Sequence, residues 1–501
     1  MRIFLVYLSM LWRKCDEYSY GLGYIASVAK NQGHSVDYYI VKNANDLEGL
    51  YDQVRLKEPH IVGFSATACQ INHLKYIATG MKKISPAFLI CGGPHPTLNP
   101  HCLSEIPALD AIVRGEGEFA MLDLLTAFEN NTDILNIKNF WFRKNNKIVA
   151  NDLRPFVADL DTLPFPDKDS LDYQKVINEN QGTNRFLFSR GCTFNCSYCS
   201  NHAYTAIYGQ KYYRRKTPQR AIEEIEMDAT KYRFQNVTFD DDTINLNKKW
   251  FYEFFSLYRK TFKFPFKCNV RADIINEDMI KFLKAAGVYE VYIGVEHGNE
   301  KFREVILKKK ITNKSIIQTF NLLDKYSIKY YAQLMVGLPY EDKKLFLDTV
   351  RLCRELRINN AINIFNPYPG TELGKICERK NWLPEKKYYA ERSEAAIDYP
   401  NFPKEEIQLC RDVFPILTRW KFIPLKIPFV WVLYFYRFFS IPVNFIQKYL
   451  TRFIYTSLRK KHSNLAFYQK VVTRIHKLIV SDNKLLLRMV RKLTVNSRSS
   501  T

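Results

Sequence analysis

Three cysteines stand together in the stretch FLFSRGCTFNCSYCSN, residues 186–201: Cys192, Cys196 and Cys199, spaced C-x3-C-x2-C. Thiolates are soft ligands that suit iron–sulfur clusters. A cubane cluster takes four ligands, which bacterial ferredoxins supply as four cysteines. Three cysteines leave one iron open to another molecule. A zinc knuckle is one alternative, but zinc asks for a fourth Cys or His at ligand spacing. His202 is near, yet it follows Cys199 too tightly to close a tetrahedron easily. Thiols that merely lie side by side are the other alternative. The remaining cysteines, Cys15, Cys69, Cys91, Cys102, Cys268, Cys353, Cys377 and Cys410, are scattered. They read as buried free thiols in a reducing cytoplasm.

Three further groups downstream have types and positions that could serve a charged ligand. Asp240-Asp241-Asp242-Thr243 follows the strand-like run NVTF, Arg271 lies in NVRAD, and Glu296 lies in GVEHG. In a β/α barrel, catalytic and cofactor groups gather at the C-terminal ends of strands. A carboxylate there suits a positive amine, and an arginine suits a carboxylate through a charge-assisted pair. A solvated acidic turn and a generic barrel-mouth arginine are the plain alternatives.

The elements that must position these groups come in two series. Residues 2–9 read as a buried strand, followed by the helical run GLGYIASVAKNQGH, the strand SVDYYIV, the helix DLEGLYDQVRLKEP and the strand HIVGFSAT. The alternation continues to about residue 135 and predicts a doubly wound, Rossmann-like parallel sheet. Ligands of such sheets lie at the strands' carboxyl ends. Those ends carry Ser65-Ala66-Thr67, Gly92-Gly93-Pro94-His95 and Arg114-Gly115-Glu116-Gly117-Glu118. A G-x-G-x-x-G fingerprint is missing after the first strand, which argues against a dinucleotide. Residues 139–184 form a connector, with a hairpin around Asn145-Asn146 and the proline-rich link DTLPFPDKDS. A second βα series starts at the cysteine loop. In it Thr217-Pro218 opens one helix, and Asn276 and Gly287 bound another.

The cysteine spacing within RGCTFNCSYC resembles the signature of the radical S-adenosylmethionine (SAM) enzymes. GLGYIA, VGFSAT, GGPHPT and RGEGE, in that order, resemble the cobalamin-binding domain that precedes many radical SAM domains. The resemblance implies a cobalamin domain over residues 1–138 and a partial (β/α)6 radical SAM barrel over 185–403, leaving a basic, mostly helical region at 404–501. It implies a [4Fe–4S] cluster on Cys192, Cys196 and Cys199. Asp241 and Asp242 would lie by the SAM amine, Arg271 by its carboxylate, Glu296 by its ribose and Tyr198 by its adenine. Ser65, Thr67, Gly92, Gly93, His95, Gly115 and Glu116 would line the cobalamin site. The D-x-H-x-x-G run that places a histidine on cobalt in cobalamin mutases is missing, so His95 is read as a loop residue rather than an axial ligand. The implied activity is methylation of an unactivated carbon, or of a phosphinate phosphorus, with flavodoxin or ferredoxin as electron donor. A cobalamin-dependent cyclase or ring-remodelling enzyme is the alternative. An RNA-modifying methylthiotransferase would need a second cysteine trio near the N-terminus. Cys15, Cys69, Cys91 and Cys102 do not form one. No residue singles itself out as a catalytic acid or base.

The formal charge is +23, and from Arg411 to Thr501 there are 18 Lys and Arg against two acids, a net of +16. The basic charge therefore belongs to the last region. There IPFVWVLYFYRFFSIPVNFIQ, 427–447, is long enough to span a bilayer, but it is interrupted by Arg437, Pro428 and Pro442. Its aromatic and basic character suits a helix lying on an anionic membrane surface. A helical cap packed on the barrel is the other reading. The opening MRIFLVYLS reads as a strand rather than a signal peptide, which predicts a cytoplasmic protein, with a peripheral place on the membrane following from the tail. Nothing in the sequence points to nucleic acid as the partner beyond charge.

Overall fold

The computed structural model describes residues 1–9, 18–383, 394–421 and 423–425, together with Phe429. Cys15 and the aromatic run at 427–447, apart from Phe429, lie outside the described residues. One compact unit covers residues 1–422.

The first sheet has seven strands: β1 (Arg2–Leu8), β2 (Ser35–Val41), β3 (Ile61–Ser65), β4 (Phe88–Gly92), β5 (Ala111–Val113), β6 (Phe140–Lys144) and β7 (Lys147–Ala150). Their order is β2-β1-β3-β4-β5-β6-β7. The first five run parallel and the last two antiparallel. Strand β1 is apolar on both faces because helices cover both. Phe4, Val6 and Leu8 enter one core with Leu74 and Met81. Ile3 and Leu5 enter the other with Leu22, Ala26 and Leu124. The chain reverses direction across the sheet between β1 and β3, and doubly wound folds bind ligands at that switch point. The hairpin expected around Asn145-Asn146 is present, with both residues at positive φ (50° and 60°), as such a tight turn requires. It pairs with β5, Val113 opposite Phe140, and so physically belongs to the first sheet.

The second sheet has six parallel strands in the order β15-β14-β13-β12-β11-β8. They are β8 (Thr183–Phe186), β11 (Asn236–Phe239), β12 (Phe266–Val270), β13 (Val288–Glu296), β14 (Lys329–Val336) and β15 (Asn363–Ile364). This is the expected partial barrel. A small antiparallel pair, β9 (Ser189–Arg190) with β10 (Arg214–Arg215), lies beside it. Helix caps fall where expected: the Thr217 side chain accepts from the Arg220 amide and the Asn276 side chain from the Met279 amide.

The helix Lys404–Arg419 also packs on the barrel. Arg354 Nε donates to the Leu417 carbonyl at 2.7 Å, and the Phe346 and Phe414 rings lie 6.0 Å apart. The opening of the basic region is thus a barrel-packing helix. Among the described residues no helix is long and apolar enough to cross a membrane.

Candidate functional site

The cysteine loop is stapled in place. Ser197 donates from its amide to the Leu307 carbonyl at 3.0 Å and from its hydroxyl to the Ile306 carbonyl at 2.6 Å. The amide of Leu373 donates back to the Ser197 carbonyl. Gly191 has φ +85°, and a Cβ there would lie 1.3 Å from the Tyr212 carbonyl oxygen, so only glycine fits. His202 turns away: its Nε2 accepts from the Glu372 amide at 3.1 Å. That removes it as a fourth zinc ligand.

Cys192, Cys196 and Cys199 line one cavity of about 180 Å³ at the barrel mouth. Among the described residues no three His, Cys, Asp or Glu side chains converge tightly enough to hold a single metal ion. Three thiols lining one small space fit a cluster whose thiolates each bind a different iron. Burial pushes the Cys199 thiol up to about 12, so a metal centre would have to displace its proton.

The same cavity is walled by Tyr198, Asp242, Arg271, Glu296 and Lys309. Two carboxylates and two cations in one small space suit a zwitterionic amino-acid ligand. Arg271 Nε lies 2.7 Å from Asp273 Oδ1, and its guanidinium stacks 3.5 Å from the Phe194 ring centroid. Glu296 ends β13 at a register shift, with φ +66°. Its Oε1 accepts from Lys309 Nζ at 2.9 Å, and Lys309 also reaches the Tyr198 hydroxyl at 3.4 Å. A side chain at Gly294 would strike both members of the Glu296–Lys309 pair. Lys309 was invisible in the sequence, one of three consecutive lysines. Fully buried Arg303 shapes the turn that carries it, donating to the carbonyls of His297 and Ile311. His297 is a structural residue: its Nε2 lies 3.2 Å from Glu341 Oε1, while Glu341 Oε2 accepts from the Gly337 and Leu338 amides.

The three aspartates face three ways. Asp240 forms a two-pronged pair with Arg185, both contacts 2.8 Å, and accepts from the Tyr20 hydroxyl of the first domain at 2.7 Å. Asp241 is fully buried and is not among the residues lining the cavity; it accepts from the Ser189 hydroxyl and lies 3.3 Å from Arg215. Asp242 alone reaches the cavity, where its Oδ2 accepts from Asn201 at 2.8 Å. Burial raises its pKa, with Asp241 and Asp240 adding to the effect. Asp241, expected beside Asp242 at a ligand, thus stands in the wall behind the cavity, with Asp242 at its face. Consecutive residues leaving a strand cannot all point the same way.

At the first sheet's switch point, Ser65, Gly92, Gly93, Gly115 and Glu116 line a cavity of about 340 Å³ together with Tyr24, Tyr204 and Tyr212. Its floor is apolar, formed by Leu5, Ile90, Val113 and Met121. A Cβ on Gly93 (φ +97°) would fall 2.8 Å from Ser65 Oγ, so the strand ends stay thin enough for a bulky ligand. Ser65 and Thr67 also line a larger cavity of about 540 Å³ between this domain and the barrel. Tyr20, Gly21, Ser65, Leu187 and Arg190 are common to the two cavities, and Asp242 is common to the larger cavity and the cysteine cavity. The three spaces are thus neighbours, the larger one adjoining each of the other two. His95 lines none of them; it is buried behind its loop, and burial pulls its pKa down to about 4. Glu116 lines the slot but is engaged by Arg190, Arg214, the Tyr212 hydroxyl and the Val157 amide. Burial alone would raise its pKa, yet the two arginines hold it below the usual glutamate range.

Residues 186–353 match the Radical SAM superfamily, and residues 13–125 match the B12 binding domain. The chain thus carries a B12 binding domain ahead of a radical SAM domain. Its cofactors are cobalamin, a [4Fe–4S] cluster and SAM. An uncharacterized methyltransferase of Pyrococcus horikoshii is 29% identical over 369 residues, covering 72% of this chain and 79% of that protein. An anaerobic magnesium-protoporphyrin IX monomethyl ester cyclase of Rubrivivax gelatinosus is 29% identical over 370 residues, covering 70% of this chain and 65% of the cyclase. The solved structure of the cobalamin-dependent SAM radical enzyme OxsB, with aqua-cobalamin and SAM bound, shares the fold at 13% identity with a TM-score of 0.68, covering 97% of this chain and 72% of OxsB. Sequence reasoning missed Lys309, Arg190 and the tyrosines of the slot: Arg190 and Tyr24 stand inside RGCTFNCSYC and GLGYIA without being singled out there, and Lys309, Tyr204 and Tyr212 sit in no spacing that marks them.

Proposed function

We propose that this chain is a cobalamin-dependent radical SAM methyltransferase acting on an unactivated carbon, or a phosphinate phosphorus, of a small-molecule or lipid-like substrate. The observation that carries the reading is the row of three neighbouring cavities that share lining residues, with the cysteines at one end and the glycine-edged slot at the other. The bound cofactors supply a 5′-deoxyadenosyl radical to activate the substrate and a methyl group on cobalamin to transfer. The chain's own residues bind, orient and exclude water. Cys192, Cys196 and Cys199 would hold the cluster and leave one iron open. Asp242 would take the SAM amine, Arg271 its carboxylate, Glu296 with Lys309 its ribose, and Tyr198 would pack on adenine. Ser65, Gly92, Gly93 and Gly115 would edge the cobalamin slot. The substrate would enter the middle cavity, between Tyr20, Arg185 and Asp242.

The deciding experiment is anaerobic incubation of the reconstituted enzyme with extracts and methyl-labelled SAM, followed by mass spectrometry. Label in a product supports methyl transfer. Release of 5′-deoxyadenosine with a new ring and no label supports the second reading, a cobalamin-dependent cyclase, which the Rubrivivax relative's name favours. An electron donor such as flavodoxin or ferredoxin would supply the reducing equivalent. The run at 427–447 supports a further partner, an anionic membrane surface, on sequence grounds.

A further inference from the structure

We propose that Arg190 is a positioning residue that links the two cofactor sites, so that a loaded cysteine loop tightens cobalamin binding in the first domain. The inference rests on the functional reading above. Arg190 belongs to the barrel half of the molecule, yet its guanidinium lies among first-domain residues. Its Nη1 is 3.1 Å from Glu116 Oε1, and its Nη2 is 2.5 Å from Glu118 Oε1. Its guanidinium carbon sits 4.7 Å from the Tyr24 ring centroid. Arg190, Glu116, Glu118 and Tyr24 all line the 340 Å³ slot, and Arg190 also lines the middle cavity. The planar fork is what lets one side chain hold two carboxylates at once.

The other end of the link is covalent. One residue, Gly191, separates Arg190 from Cys192, and the Tyr212 carbonyl occupies the space where its Cβ would be. A Cys192 fixed on a cluster therefore fixes the Arg190 backbone with little slack. Glu116 is braced from its far side by Arg214, the Tyr212 hydroxyl at 3.0 Å and the Val157 amide at 2.7 Å. Fixing Arg190 thus fixes the slot wall before a ligand arrives, and pre-ordered walls lower the cost of binding. The coupling is reciprocal by linkage.

The test uses the full-length chain and hydroxocobalamin, with binding followed by absorbance titration and iron content measured in every sample. Wild type with a reconstituted cluster is expected to bind about tenfold more tightly than the cluster-free protein, within the ordinary range of coupling. In Arg190→Lys, which keeps the charge but loses the fork, the difference should shrink to about twofold while cluster and cobalamin still bind. Arg190→Ala takes one cation from buried Glu118 and one of two from buried Glu116. Should it fail to fold, Glu118→Gln, which keeps Arg190 in place with one partner neutralised, gives the second measurement and should lose most of the difference. Equal affinity with and without cluster in wild type, or an unchanged difference in Arg190→Lys, overturns the inference. Absence of cobalamin binding in both wild-type states would instead overturn the functional reading itself.

Discussion

A lysine and a glutamate buried together at the mouth of a barrel are costly to separate, because either one left alone is an uncompensated charge. Lys309→Met should therefore destabilise the protein by about 3 kcal/mol in denaturant unfolding. Pairing it with Glu296→Gln should restore most of that stability but not SAM affinity, as isothermal titration would show. If the double variant binds SAM like wild type, the pair has only a structural role. The cobalt end gives a second test. His95 lies behind the slot rather than in it, so Co(II) cobalamin on the enzyme should show no nitrogen splitting in electron paramagnetic resonance that disappears in His95→Ala. A histidine-dependent splitting would put His95 on the metal. At this scale the sequence was readable where spacing itself encodes geometry. Cys192, Cys196 and Cys199 share a cavity because a short loop can bring them together in few ways. Lys309 was unreadable because it stands in a run of three: Lys308 pairs with Glu372 at the surface, Lys310 is exposed, and only the turn held by Arg303 sends the middle one inward. Asp241 and Asp242 could not be told apart because a run of like residues does not say which of them faces a cavity.

The parallel strands and their helices were readable because burial on both faces demands long apolar runs, and caps such as Thr217 and Asn276 mark helix starts. What no single element announces is how it is braced against another. The RGEGE turn after β5 looked like a ligand loop. It also docks the barrel, through Glu116 to Arg190 and Arg214. This docking has a pH signature. The folded-state pKa of Glu116 is depressed, so its ionised form contributes stability above the ordinary glutamate pKa of about 4.3. That contribution fades as pH falls through the lower folded value. Glu116→Gln should cost about 3 kcal/mol at pH 7 in cluster-free protein. The gap from wild type should narrow steadily below pH 4. A gap that stays constant across a denaturant series from pH 7 downward would mean that the arginines do not depend on its charge.

For the molecule as a whole, the packed helix Lys404–Arg419 sets where it can be cut. A chain ending at Pro403 would strip that helix from the barrel and expose Phe346 and its neighbours, so it should unfold at markedly lower denaturant. A chain ending after Lys421 keeps the helix and discards most of the +16. It should retain both cofactors yet lose the binding to anionic liposomes expected of the full-length chain. Salt should weaken the full-length binding without abolishing it, because aromatic insertion survives screening. Full-length protein that stays off strongly anionic vesicles in flotation would assign the tail another task. The acid run at the end of β11 has a consequence of a different kind. Asp240 clasps the first domain through Tyr20, Asp241 braces the barrel wall, and Asp242 looks into the cysteine cavity. Deleting one codon from the three would barely change the spelling, DD for DDD, yet would hand one of the three posts to a flanking residue. Natural selection therefore sees three separate characters here, while any comparison that scores the run as a word sees one.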